Sequence, residues 1–98
     1  MLEKAEVYRM FKLINDDFNQ HGIQMRIGQS VMNNLRTLDY SLYLKLTGSE
    51  IDPFYMEDKV MSALISISNP NIIRDTISKY YKDNKTNYKF KLKLEKLL

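Results

Sequence analysis

Five apolar residues near the start of the chain, Val7, Met10, Phe11, Ile14 and Phe18, recur at steps of three and four. That spacing places them on one face of an α-helix, with acids and lysine opposite. A helix of roughly 19 residues with a single apolar face is not stable alone in water, because helix nucleation is costly and each further residue adds little. The rest of the chain must cover the stripe. At 98 residues it has material for one small domain and no second independent core. His21 and Gly22 mark the predicted end of this helix, with Gly22 suited to a left-handed cap.

A second stripe runs through Ile27, Val31, Leu35, Leu38, Leu42 and Leu46. Gly28 near its start and Asp39 in its middle make two shorter helices as good a reading as one. Ser30 and Asp39 are the candidate caps, and Gly48 follows as a terminating glycine. The alternations Ile23-Met25-Ile27 and Tyr40-Leu42-Leu44-Leu46 leave strand as the competing reading. Asp52-Pro53 and Asn69-Pro70 each set a capping side chain before a proline at a first helical position. The former leads into Val60, Leu64 and Ile67, the latter into Ile73, Ile77 and Tyr80 or Tyr81.

Beyond the polar run Asn84-Lys85-Thr86-Asn87 the chain alternates. Tyr88, Phe90, Leu92 and Leu94 are set against Lys89, Lys91, Lys93 and Glu95, the pattern of a half-buried strand. A short helix using Phe90, Leu94, Leu97 and Leu98 competes, as does a tail that orders only on a partner. The expected fold is therefore mainly α. A small bundle of four to five short helices occupies residues 1–84, and residues 85–98 form a basic amphipathic tail patterned as a β-strand.

Charge divides along the same line. Residues 1–78 carry eight Lys/Arg and ten Asp/Glu, whereas residues 79–98 carry seven Lys and two acids. Lys79, Lys82, Lys85, Lys89, Lys91 and Lys93, interleaved with Tyr80, Tyr81 and Tyr88, are the candidate nucleic-acid contacts. Lysines can follow a phosphate backbone while rings stack on bases. The plainer reading is a solvated lysine face. No arginine lies in this stretch, so the bidentate fork used for specific recognition is missing from it.

Catalytic chemistry finds little purchase. With no cysteine and one histidine, thiolate zinc sites, disulfides and multi-histidine metal sites are excluded. Asp16 and Asp17 are helix neighbours that point about 100° apart. Glu50 and Asp52 flank a presumed helix start, and Glu57-Asp58 has no second acidic or histidine cluster at metal-ligand spacing. His21 at a helix C-terminus suits a structural role beside the dipole. The three glycines are isolated, so there is no phosphate loop. These observations point away from an enzyme and imply no cofactor. No apolar run reaches the ~18 residues of a membrane span, and the opening Met1-Leu2-Glu3-Lys4-Ala5-Glu6 is not a signal peptide. The expected location is the cytoplasm, away from membrane.

Two segments carry a resemblance. Arg26-Ile27-Gly28-Gln29 with Asn33 and Leu35 fits R-x-G-Q-x-x-x-N-x-L. Gly48-Ser49-Glu50-Ile51-Asp52-Pro53-Phe54-Tyr55, followed by Glu57 and Lys59, fits G-T-x-x-D-P-F-Y-x-D with Ser49 for threonine and Glu57 for aspartate. Met61 and Ala63 stand where a proline and an aromatic residue are usual. Across about residues 7–65 the chain resembles small uncharacterised open reading frames of phages, prophages and mobile elements in Gram-positive bacteria. The resemblance implies a genomic setting and no catalytic residue. Read physically, Phe54 and Tyr55 either fold over the Gly48 turn as a lock between helices or form an exposed anchor. Arg26, Gln29 and Asn33 are expected to hold a loop by hydrogen bonds.

The leading functional expectation is a non-enzymatic interaction protein that binds and modulates a larger host or mobile-element protein, such as a replication, transcription or defence enzyme. Phe54, Tyr55, Tyr40 and Tyr43 are the candidate contacts, since adaptable Met and Tyr suit such surfaces. The alternative is an accessory subunit of a replication complex that guides single- or double-stranded nucleic acid with the Lys/Tyr-rich tail. A homodimer is a further arrangement open to a domain this small.

Overall fold

The computed structural model describes residues 1–21, 24–83 and 85–97, with side chains for all of these except residue 97. Six α-helices follow one another: α1 (Lys4–His21), α2 (Ile27–Leu38), α3 (Tyr40–Leu46), α4 (Val60–Ile67), α5 (Pro70–Asp83) and α6 (Tyr88–Leu97). A 3-10 turn, Glu57–Lys59, precedes α4. No strand occurs among the described residues. The fold is mainly α as expected, with one helix more than the four to five anticipated.

The stripe on α1 organises the molecule. Val7, Met10, Phe11, Ile14 and Phe18 are all buried, and α1 packs on α2, α5 and α6. The proposed left-handed cap at Gly22, and Ile23 of the alternating run, lie outside the described residues. The second stripe divides at Asp39, whose extended backbone ends α2 and whose carboxylate accepts the Leu42 N–H at 3.1 Å to start α3. Gly48 follows α3 with φ +75°, the left-handed conformation that suits glycine. Asn69 caps α5 by accepting the Ile72 N–H at 2.9 Å, with Pro70 first in the helix.

Three expectations are corrected. Ser30 does not cap α2. The capping position is Arg26, without a side-chain bond, and Ser30 is buried one turn into the helix. Pro53 begins no helix either. The Asp52 carboxylate accepts the Gly48 and Phe54 N–H groups at 2.8 and 3.0 Å, closing a turn, so α4 starts only at Val60. The tail is helical, not a strand. Its alternation misleads because Phe90 and Leu94, four apart, are the buried pair, while Leu92 between them points outward, as 3.6-residue periodicity requires. Thus the described part of 85–98 shares the core of the preceding helices.

That core is aromatic where α1, α5 and α6 meet. Phe90 stacks on Phe18 at 5.5 Å between centroids and meets Phe11 edge-on at 6.3 Å. Tyr80 lies against Tyr8, Phe11 and Phe90 at 5.4, 6.5 and 6.4 Å. Polar anchors fix the ends. Asn87 caps α6, its Oδ1 accepting the Lys89 and Phe90 N–H groups at 3.0 and 3.3 Å. Its own N–H donates to Oδ1 of buried Asn15 on α1 at 2.7 Å, and its amide nitrogen to Asn19 at 2.8 Å. Leu2 is buried as well, with its N–H donating to the Ile67 carbonyl at 2.7 Å and its carbonyl accepting the Ser68 hydroxyl at 2.8 Å.

Two outcomes follow from this packing. Asn15→Leu removes the acceptor for the Asn87 N–H and is expected to cost about 1–3 kcal/mol in urea denaturation. The tyrosines set an alkaline limit. Burial, then the charges of Asp16 and Tyr8, pushes the Tyr80 hydroxyl up to about 12, and burial, then Glu95, does the same for Tyr81. In the unfolded chain both titrate near 10. Their contribution to stability is complete below pH ~10 and is lost as the pH rises towards ~12, because the unfolded chain releases its protons first. The urea midpoint should fall through that window, and phenolate absorbance should show two late-titrating tyrosines.

Candidate functional site

The two sequence segments that carry the resemblance meet in space. Gly28 lies in the first turn of α2, and a Cβ built on it would sit 1.8 Å from the Pro53 carbonyl oxygen. Only hydrogen fits there, so the loop backbone rests directly on the helix. Arg26 leaves the end of α2 and spreads over the neighbouring rings, its guanidinium carbon 5.6 Å from the Phe54 centroid and 5.1 Å from that of Tyr55. Its Nε donates to the Phe54 carbonyl at 3.4 Å. The two rings meet edge to face at 4.7 Å. Phe54 is half-buried against the core, whereas Tyr55 is 78% exposed. One aromatic residue closes the junction and the other stands in solvent.

A second cluster forms at the other end of α2. Tyr40 and Tyr43 stack at 5.8 Å with an interplanar angle of 17°, and Arg36 lies over Tyr43 at 5.9 Å. Tyr40 and Leu44, one turn apart on α3, are both exposed. Arg26 and Arg36 are ten positions apart, about 15 Å along a helix axis. Each end of α2 thus presents an arginine laid on tyrosine, a favourable cation–π arrangement.

Asn33 is exposed and joins neither cluster. Its neighbour Asn34 forms hydrogen bonds that join two helices and hold no loop, donating to Asp17 Oδ2 on α1 at 2.9 Å and to the Ser30 carbonyl at 2.8 Å. The Ser30 hydroxyl donates to the same Asp17 oxygen at 2.7 Å. The sequence signal was the i, i+4 spacing of Ser30 and Asn34, which is silent until α1 brings Asp17 opposite.

The lysines of the nucleic-acid reading fall in separate places. Lys79 lies over Tyr8 at 5.8 Å, in an open groove of about 600 Å³ between α1 and α5 that Asp75 and Asp83 also line. Lys82 and Lys85 are exposed. Lys91 covers Tyr81 at 5.7 Å, and the Tyr81 hydroxyl donates to the Lys91 carbonyl at 3.2 Å. Lys89 and Lys93 lie on another flank of α6, where Lys93 is ion-paired with Glu57. Tyr88 is 73% exposed, but Tyr80 is 1% exposed, which removes it as a surface for stacking bases.

Among the described residues no three His, Asp or Glu side chains gather as a metal site, and no helix is long and apolar enough to cross a membrane. Three of the six acids singled out in the sequence have identified bonds: Asp17 with Ser30 and Asn34, Asp52 with its own turn, and Glu57 with Lys93. Comparison with protein-family models, curated proteins and solved structures finds no match.

The contact beneath the first cluster can be tested with two glycines. Gly28→Ala drives a methyl group into the Pro53 carbonyl and should cost about 1–3 kcal/mol, with the Tyr55 ring signals shifting in the NMR spectrum. Gly48→Ala has open space around it and should cost roughly 1 kcal/mol of backbone strain, leaving those signals in place.

Proposed function

We propose that this chain is a non-enzymatic interaction protein of a phage or other mobile element, which binds a larger protein and modulates it. The observation that carries the reading is the pair of arginine-backed tyrosine clusters at the two ends of α2. Tyrosine and arginine are the residue types enriched at binding hot spots. Stacking already restricts these side chains, so less freedom is lost on binding. Tyr55, Tyr40 and Leu44 supply exposed apolar area, while Phe54 and Tyr43 support them from behind. The mobile-element setting rests on the resemblance of the R-x-G-Q and D-P-F-Y segments.

A second reading, an accessory subunit that guides nucleic acid, is favoured by exposed Tyr88 among Lys85, Lys89 and Lys91. The dispersal of the remaining lysines ranks it below protein binding.

The test compares affinity capture by the wild-type chain, by Tyr40→Ala/Tyr55→Ala and by Lys82→Gln/Lys85→Gln/Lys91→Gln, with circular dichroism confirming the fold of each. A specific partner should be retained by the lysine variant and lost or reduced about tenfold with the tyrosine variant, about 1.4 kcal/mol. Nuclease-sensitive capture that depends on the lysines would select the second reading. Turnover of a substrate by the pure chain, abolished by changing one acid or His21, would overturn both.

A further inference from the structure

We propose that the flank of α6 opposite Tyr81 is a docking site for an acidic, amphipathic segment of a partner protein, with a lining that shares no residue with the tyrosine clusters. Lys89, Lys93 and Lys96 border a shallow depression of about 250 Å³ whose apolar lining is Phe18, Met25 and Leu92. Past Lys93 and Lys96 a second hollow of about 220 Å³ reaches Ile27, Glu57 and Asp58. Leu92 is 39% exposed, although it belongs to the helix that supplies two core residues.

Charge complementarity specifies the occupant. Three ammonium groups around an apolar floor call for carboxylates on either side of an aliphatic side chain. The molecule already contains such a contact, since Glu57 Oε1 meets Lys93 Nζ across 36 positions of chain. Glu57 therefore shows that a carboxylate can reach the site, and it competes with any that arrives from outside. Nucleic acid fits less well. Phe18, the aromatic residue of the lining, is 1% exposed, so it offers no face to a base and the accessible apolar floor is Met25 and Leu92, and Glu57 and Asp58 interrupt a phosphate track. A partner carrying one or two leucines among acids gains both hydrophobic burial and steering by the lysines.

The experiment is fluorescence anisotropy with a labelled peptide holding two leucines four positions apart, flanked by Glu and Asp. Saturable binding is expected, weakening as salt rises. Lys89→Glu/Lys96→Glu should weaken it about tenfold or more, as should Leu92→Ser, a second variant on an exposed side chain. Glu57→Gln should tighten binding several-fold by removing the internal competitor. Tyr40→Ala/Tyr55→Ala should leave it unchanged, so failure here and failure of the proposed function are read separately. The assignment is overturned if the peptide does not saturate, if a serine-for-leucine peptide binds equally well, or if Glu57→Gln weakens binding. It is also overturned if single-stranded DNA binds more tightly at the same salt, or if the same lysine changes abolish a dimer of the chain.

Discussion

The apolar face of α1 is the constraint on which the rest of the structure depends. No part of it can be left in water, and α2, α5 and α6 are placed by the need to cover it. Phe11 and Phe18 do this largely through Phe90, a residue from the last sixth of the chain. The basic segment consequently belongs to the core at one face and to solvent at the others. Its lysines are distributed by helix geometry around Phe90 and Leu94, so Lys89, Lys93 and Lys96 gather on one flank while Lys91 lies over Tyr81 on another.

A second constraint acts between backbones. The approach of Pro53 to Gly28 leaves no space for a side chain, and it brings the loop close enough for Arg26 to lie on Phe54 and Tyr55. Here the segments around Gly28 and Pro53 are halves of one contact. Their residue types make physical sense together: a glycine that admits the loop, an aspartate that folds the turn, a proline at the contact and an arginine that covers the rings. The exposed tyrosine is held in place by a junction whose first task is to join α2 to the approach to α4.

Much of this was legible from residue patterns. The α1 stripe and the Asn69-Pro70 start follow from local periodicity and capping, and the structure agrees with both, while at Asp39 it selects two helices where the pattern allowed one or two. The readings that failed were those in which one local signal had a competitor, either close in sequence or distant. Asp52-Pro53 has the chemistry of a helix start, but the Asp52 carboxylate bonds back to Gly48 and closes a turn instead. Residues 88–94 satisfy a period of two as well as the i, i+4 pair of a helix, and only the position of α1 selects between them. The Asn15–Asn87 bond joins residues 72 apart, and no spacing rule links them. At the candidate site the aromatic residues were identifiable by type. The placement of Arg26 and Arg36 over them was not, because it depends on how α2 is set against its neighbours.

The fastenings of α6 differ in kind from one end to the other. Its first turn is held by neutral amides, Asn87 with Asn15 and Asn19, whereas farther along Lys93 is held by the charge of Glu57. Mobile ions weaken attraction between partly exposed charges within a few ångströms of solvent and leave amide bonds nearly untouched. Ionic strength thus acts on this helix asymmetrically. Raising it weakens the Lys93–Glu57 pair and leaves the amide-held first turn and the buried Leu94 in place, so salt acts on the side-chain fastening of the distal half alone.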